Sequence, residues 1–310
     1  MSVLILSNPA PYIDAIEQIL SEESYVPSKY NTRQIYESGK YRTLNYTRTF
    51  PDRIIQHCLL QVVGPILKST FIETTYAAIP DKGLHKAAKS VKQTLKQDPI
   101  GTKYCLKLDV HHYFENVDRD ILYSLICKKI KCKQTLNLIH IIIYTAPSTG
   151  IPIGNYASQY FSNFYLSYFD HYCKENLGIK YYYRYMDDIV ILYSNKLQLH
   201  RYLNFINIYI TNNLKLKLKK NYQIFPVESR GIDFLGFVFR HDYTRLRKRI
   251  KHSLIKSINF IIYNIHHHVP ITSHSMQSLQ SYIGFSIHCD SKHLIHKYIN
   301  RLDCTIAGFT

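Results

Sequence analysis

Two acids side by side at a turn constrain this chain more than any other feature. Tyr185-Met186-Asp187-Asp188 stands between two strand-like runs, residues 179–184 and 189–193, so the sequence predicts a β-hairpin with adjacent carboxylates at its tip. Asp is at home in turns, and taken alone the pair reads equally well as a solvated bend. Carboxylates pushed together raise each other's pKa, however, unless a cation neutralises both. Magnesium suits that role because it prefers oxygen ligands in octahedral geometry. Two such ions about 3.5–4 Å apart clamp the attacking and leaving oxygens of a phosphoryl transfer.

A second strand pattern ends in a third carboxylate. Residues 104–110 read Tyr-Cys-Leu-Lys-Leu-Asp-Val and run directly into His111-His112-Tyr113-Phe114. Asp109 is therefore expected at a strand end, where it can lie beside the hairpin tip and supply a third ligand. The Val110 carbonyl is the candidate to complete the set.

These segments resemble the palm motifs of reverse transcriptases. Leu108-Asp109-Val110-His111-His112-Tyr113-Phe114 is similar to the first palm motif, and Tyr185-Met186-Asp187-Asp188 to the catalytic hairpin. Between them, the stretch from Gly150 to Gln159 resembles the motif under the templating base and incoming nucleotide. After them, Gly231-Ile232-Asp233-Phe234-Leu235-Gly236 resembles the turn that grips the primer end, with Phe234, Leu235 and Gly236 as its core. Four motifs in the family's order make a specific signal. Most reverse transcriptases carry Gln before the glycine of the middle motif and Ser-Pro at its end, whereas this chain has Ile153-Gly154 and Ser158-Gln159. That variant resembles the enzymes of diversity-generating retroelements, which copy a template RNA with frequent errors opposite adenine and deliver the altered cDNA into a target gene. A retron-like or phage-defence reverse transcriptase is the alternative, and a catalytically inactive RNA-binding protein a third.

The resemblance implies an α+β right-hand polymerase. Residues 1–98 would form an N-terminal segment and fingers, 99–117 the first part of the palm, 118–152 further fingers, 153–239 the rest of the palm, and 240–310 a basic helical thumb. It also implies roles. Asp109 and Asp187 would hold two Mg2+ ions, for which Mn2+ can substitute, and Asp188 would support the site electrostatically or ligate one ion. Arg42, Arg48 and Arg53 would grip the triphosphate, with backbone amides near His112 and Tyr113. Arg53 reads equally well as the partner of a nearby acid. Phe114 would be the plate under the sugar that excludes a ribose 2′-hydroxyl, its alternative being a core ring; Ile153, Gly154, Ser158 and Gln159 would border the nucleotide. Among the lysines of residues 216–221, Lys220 is the choice for the acid toward pyrophosphate. Expected partners are template RNA, RNA–DNA duplex, deoxynucleoside triphosphates and a small, basic, helical accessory protein.

Charge supports a polyanionic partner. The chain of 310 residues carries a formal net charge of +17 with a pI near 9.4, a field that draws phosphate backbones. Part of this excess also fits an AT-rich gene. Arg245, Arg247, Lys248, Arg249 and Lys251 crowd a helix-compatible stretch, 240–256, and like charges so placed are relieved by phosphates. No apolar run approaches the roughly 20 residues of a membrane span, and the start lacks the features of a secretory signal. Seven scattered cysteines, an odd number that includes Cys304, read as reduced thiols. A cytoplasmic protein of bacterial, archaeal or phage origin is expected.

Local structure follows from smaller signals. Asp118 is a helix cap for residues 119–130, which carry the apolar stripe Ile121, Leu122, Leu125 and Ile126. Aromatic residues recur at helical spacing from 155 to 173 and read mostly as core. His266-His267-His268, a conceivable chelator, reads as a solvated helix end.

Overall fold

The computed structural model describes residues 7–37, 39–147 and 149–298; Cys304 lies outside them. In chain order the elements are α1 (Ala10–Ser21), β1 (Asn31–Glu37), β2 (Lys40–Tyr46), α2 (Ile54–Lys68), α3 (Leu84–Gln97), β3 (Tyr104–Asp109), α4 (Tyr113–Asn116), α5 (Arg119–Lys129), α6 (Lys133–Tyr144), α7 (Tyr156–Tyr165) and α8 (Ser167–His171). There follow β4 (Tyr181–Tyr185), β5 (Asp188–Tyr193), α9 (Lys196–Leu214), β6 (Gln223–Pro226), α10 (Val227–Arg230), β7 (Ile232–Phe234), β8 (Phe237–Phe239), β9 (Thr244–Leu246), α11 (Lys248–His266) and α12 (Ser273–Ser286). Strands form a two-stranded sheet β1-β2, a four-stranded sheet in the order β4-β5-β3-β6, and a three-stranded sheet β7-β8-β9. Two compact units result. The first draws on Met1–Pro80, Leu108–Ile189 and Arg201–Tyr222, the second on Asp81–Lys107, Val190–His200 and Gln223–Thr310. This division is one of packing; the polymerase subdomain borders at 98, 117, 152 and 239 remain a proposal.

In the first unit the aromatic helix supplies much of the core. Phe161, Phe164, Tyr165 and Phe169 are fully buried, whereas Tyr156 is 39% exposed. The expected continuous helix over 155–173 is broken at Leu166. There the Ser167 hydroxyl donates to the Phe164 carbonyl at 2.7 Å, competing with the helical ladder, and a π-turn follows at Tyr172–Asn176. Asp118 caps α5 as its sequence predicts, its carboxylate accepting from the Ile121 amide at 2.9 Å. Leu122, Leu125 and Ile126 form the buried stripe of that helix.

In the second unit β3 and β6 pair antiparallel, from Tyr104 opposite Pro226 to Lys107 opposite Gln223. Strands β7 and β8 meet through Leu235 and Gly236 with φ of +52° and +86°, the backbone of a two-residue hairpin turn with both central residues left-handed. A Cβ on Gly236 would also come within 2.8 Å of the Phe285 ring. Helix α11 buries Leu254, Ile258 and Ile261, one face at helical spacing. The basic stretch 240–256 is not one helix, as its composition suggested. Thr244 and Leu246 point inward and Arg245 outward on β9, which pairs with β8, and helix begins only at Lys248. His266 ends α11 and His267 stacks on Tyr263 at 3.9 Å, in keeping with a helix terminus. Among the described residues no helix is long and apolar enough to cross a membrane.

Candidate active site

The β4–β5 hairpin turns on Met186, at φ +53°, and Asp187; Asp188 is already the first residue of β5. The two carboxylates therefore differ in backbone setting, Asp187 in the turn and Asp188 at the strand start. Asp187 faces Asp109. Burial first, then the charge of Asp109 and the hydrogen bond that a protonated Asp187 makes to it, push the Asp187 carboxyl up to about 7. Asp188 adds a smaller push. Asp109 Oδ1 is buried and finds no donor while Asp187 is ionised.

A segment of lysines closes the other side of Asp109. The His111 amide donates to the Lys217 carbonyl and the Lys219 amide to the Asp109 carbonyl, each at 2.8 Å, around an antiparallel bridge between Val110 and Leu218. This register sets Lys219 opposite Asp109, where Nζ lies 2.6 Å from Oδ2. Lys220, the choice made from the sequence, is one residue beyond and exposed. In a bridge of this type the N–H and C=O of Val110 turn away from the lysine segment, which leaves that carbonyl on the side away from Lys219.

The donor set fits a divalent cation. Two converging carboxylates, one unable to ionise freely, and an orphaned buried oxygen are what a bound positive charge would relieve. Asp109 and Asp187, with the Val110 carbonyl, are the residues that would hold it. Asp188, the next residue, adds its charge beside them; among the described residues no group of three or more His, Cys, Asp or Glu side chains is gathered to hold an ion.

Beneath the hairpin lies a buried ion pair that sequence reasoning missed. Arg184 and Asp170 are both inaccessible to solvent and pair through two bonds of 2.7 and 2.5 Å. Asp170 also accepts from Tyr182 Oη at 2.6 Å and Thr75 Oγ1 at 3.0 Å. The same guanidinium donates to Asn163 Oδ1 at 3.1 Å and to the Met186 carbonyl at 3.0 Å, so it holds the turn that carries Asp187. Burial draws the Arg184 pKa down, but the Asp170 charge outweighs it and keeps the group charged. The available signal was a lone cation in the aromatic strand Tyr-Tyr-Tyr-Arg-Tyr and a lone acid in an aromatic helix. Buried charges persist when paired.

The remaining candidates in the first unit converge by backbone contact. Tyr113 is buried with its hydroxyl donating to the Ser162 carbonyl at 2.5 Å, while Phe114 is half-buried and meets the Tyr113 ring edge-on at 5.5 Å. His112, left-handed at φ +44°, pairs with Glu115 at 3.0 Å on the surface. The Phe114 carbonyl accepts from the Ile151 amide at 2.9 Å, joining the first motif to the middle one. The Ile153 carbonyl accepts from the Asn45 amide at 2.9 Å, and Gly154, at φ +125°, lets β2 come this close, since a Cβ would lie 2.8 Å from the Asn45 carbonyl oxygen. Ser158 is buried and Gln159 exposed. Arg42 and Arg48 are exposed on and just after β2. Arg53 lies over the Tyr46 ring at 6.0 Å instead of on Asp52, whose buried carboxylate takes the Tyr25 hydroxyl and the Ser28 amide at 2.8 and 3.0 Å. Elsewhere in this unit a cavity of about 500 Å³ between α1, α2 and α6 contains none of these residues.

The second unit carries the Phe234-Leu235-Gly236 turn and the basic face. Lys107 donates to the Asp233 carbonyl and lies 5.9 Å from the Phe234 ring centre. Arg247 holds the turn instead of standing free. Its guanidinium contacts Asp233 Oδ1 at 2.6 Å through Nε, and its amide donates to the Gly236 carbonyl at 2.8 Å. Arg245 is exposed and lies 4.4 Å over the Tyr243 ring. Lys248 and Arg249, with His252, Ser253 and Lys256, line a shallow groove of about 480 Å³, and Lys251 is exposed on the same helix.

Comparison with known proteins gives the family and the fold. The pattern of the family described as Reverse transcriptase (RNA-dependent DNA polymerase) matches residues 28–239. The chain is similar to Protein YkfC of Escherichia coli (strain K12), 24% identical over 274 residues, covering 74% of this chain and 70% of that protein. It is similar also to the group II intron-encoded protein LtrA of Lactococcus lactis subsp. cremoris, 28% identical over 171 residues, covering 51% of this chain but only 27% of that protein. In fold it resembles apo telomerase from Candida tropicalis, with a TM-score of 0.57 at 11% identity over 88% of this chain and 59% of that one. Telomerase from Candida albicans in complex with a TWJ fragment of telomeric RNA gives 0.57 at 10% identity, over 89% and 54%. At such identities only the fold is shared. The chain belongs to the reverse transcriptase family, the RNA-dependent DNA polymerases, and has the mixed helix-and-sheet architecture of a right-hand polymerase.

Proposed function

We propose that this chain copies a template RNA into error-prone cDNA for a diversity-generating retroelement. The single observation that carries the chemistry is the Asp109–Asp187 pair, in which one carboxyl is held up to about 7 beside a buried oxygen without a donor. In the reaction a primer 3′-hydroxyl releases its proton to water as its oxygen bonds to the α-phosphorus of a deoxynucleoside triphosphate, the bond from that phosphorus to the bridging oxygen breaks, and pyrophosphate leaves. Asp109, Asp187 and the Val110 carbonyl would hold divalent cations, which would neutralise charge on the reacting phosphate. Lys219, already against Asp109, replaces Lys220 as the candidate acid toward the leaving group. Arg184 keeps the hairpin turn in place, Phe114 borders the sugar, and Arg42, Arg48 and Arg53 meet the triphosphate. Arg245, Lys248, Arg249 and Lys251 take the template-primer backbone.

The mutagenic assignment rests on Ile153 and Gln159. A glutamine at 153 can hydrogen-bond near the nucleotide, whereas an isoleucine makes only apolar contacts. The similarity to an intron-encoded protein favours a second reading, a reverse transcriptase of another retroelement with the same chemistry. Sequencing cDNA made on a primed RNA separates the two: errors concentrated at template adenines support the diversity-generating reading, and errors spread evenly over the bases support the second. A cytoplasmic setting and a small basic accessory protein belong to the proposal.

A further inference from the structure

Helix α3 has a face that the polymerase chemistry does not use. Ala87, Ala88, Val91 and Leu95 are its buried side. Opposite them Lys86, Lys89, Gln93 and Lys96 are all exposed, and their spacing of three, four and three residues draws one line along the helix. From Lys82 to Gln97 the sequence contains five lysines, Lys82, Lys86, Lys89, Lys92 and Lys96, and no acid. A solvated helix face ordinarily mixes signs, because lysines at i,i+3 and i,i+4 repel one another. Among the described residues, Lys92 alone of the helix lysines has a direct ion pair, with Asp290 at 2.9 Å, and Lys96 reaches the same carboxylate only at longer range. The helix is nonetheless well fixed in the second unit, with His85 stacked on His288 at 3.7 Å and near Phe285 at 5.8 Å.

We propose that the Lys86–Lys89–Gln93–Lys96 face of α3 is a second track for a nucleic-acid backbone, distinct from the basic start of α11, and that it takes the single-stranded template RNA. It rests on the reading of the chain as an RNA-copying polymerase. The stripe runs about 15 Å along the axis, long enough to meet more than one phosphate of a single strand. Lysines act there as point charges and Gln93 as a neutral donor, which suits a track that must let any sequence slide past.

The test uses the full chain, a labelled single-stranded RNA of about 20 nucleotides without primer, and binding measured across a potassium chloride series. Replacing Lys86, Lys89 and Lys96 together with Gln keeps helix propensity and removes three charges. The slope of log affinity against log salt should flatten by about 2, at about 0.7 for each phosphate of a single strand that is no longer neutralised. Lys129→Gln/Lys131→Gln/Lys133→Gln, in the first unit, removes equal charge and should leave the slope unchanged. Equal slopes for wild type and the α3 variant, or an equal flattening in the control, would overturn the proposal. So would anionic vesicles that bind the wild type but not the α3 variant while the RNA slope stays the same. A wild type that binds RNA with the expected slope but incorporates no deoxynucleotide would overturn the polymerase reading alone.

Discussion

Replacing Asp187 with Asn should stabilise the metal-free protein above neutral pH, although it removes a residue of the proposed active site. Folding carries the Asp187 carboxyl from its ordinary value of 3.8 to about 7, chiefly by burial and then by the Asp109 charge. One pKa unit corresponds to about 1.4 kcal/mol, so forcing the group to ionise in the fold costs up to about 4 kcal/mol. Between these two pKa values the folded chain holds a proton that the unfolded chain has released. The stability tied to that proton is fully present below the lower value, falls as pH rises through the window and is gone above about 7. Asn has no proton to lose and no charge to desolvate. Urea titrations in a chelator at about pH 5 and pH 8 should show the wild type losing about 2–3 kcal/mol more than the variant between the two, since about two units of the window lie above pH 5. Magnesium added at the higher pH should restore the wild type and leave the Asn protein unmoved, because a ligand that binds only the folded state stabilises it. Parallel pH profiles for the two proteins in chelator would refute the claim that Asp187 is an electrostatically loaded position.

Three further outcomes are expected. Breaking the buried pair with Arg184→Met should cost about 3–5 kcal/mol by leaving Asp170 unpaired; Arg184→Met/Asp170→Leu should regain most of that stability without regaining extension rate, as the Met186 turn loses its donor, and full activity in the double variant would show that the pair is only structural. Phe114→Val should raise ribonucleotide incorporation relative to deoxynucleotide, read by alkaline cleavage of the product, and an unchanged ratio in a folded, active variant would leave Phe114 as packing. Ile153→Gln should lower errors at template adenines by roughly threefold to tenfold at comparable yield, the worth of one positioning bond of about 0.5–1.5 kcal/mol, and equal error spectra would remove Ile153 from the account.

Local signals were legible where the physics is local. The hairpin at residues 185–188, the strand ending at Asp109, the Asp118 cap and the buried aromatic line through Phe161 and Phe164 all follow from periods of two or 3.6 residues and from turn chemistry. What the pattern left open depends on register and on distant partners. Only the bridge between Val110 and Leu218 decides that Lys219, not Lys220, meets Asp109. Only the turn at Met186 and Asp187 decides that Asp187 stands in the bend and Asp188 in the strand. Arg184 and Asp170 are fourteen residues apart in sequence and meet through tertiary packing. Arg245 reads as helix by composition and becomes strand because β8 offers an edge, while Arg247 reads as a phosphate ligand and is drawn instead to Asp233.

The most direct measurement is primer extension on an RNA template, with deoxynucleotides and magnesium, by the purified wild type and by Asp109→Asn. The account predicts full-length cDNA from the wild type and none from the variant, while the variant melts cooperatively and binds the template-primer with wild-type affinity. Extension by the Asn protein at a rate near the wild type would contradict the placement of catalysis at Asp109 and Asp187.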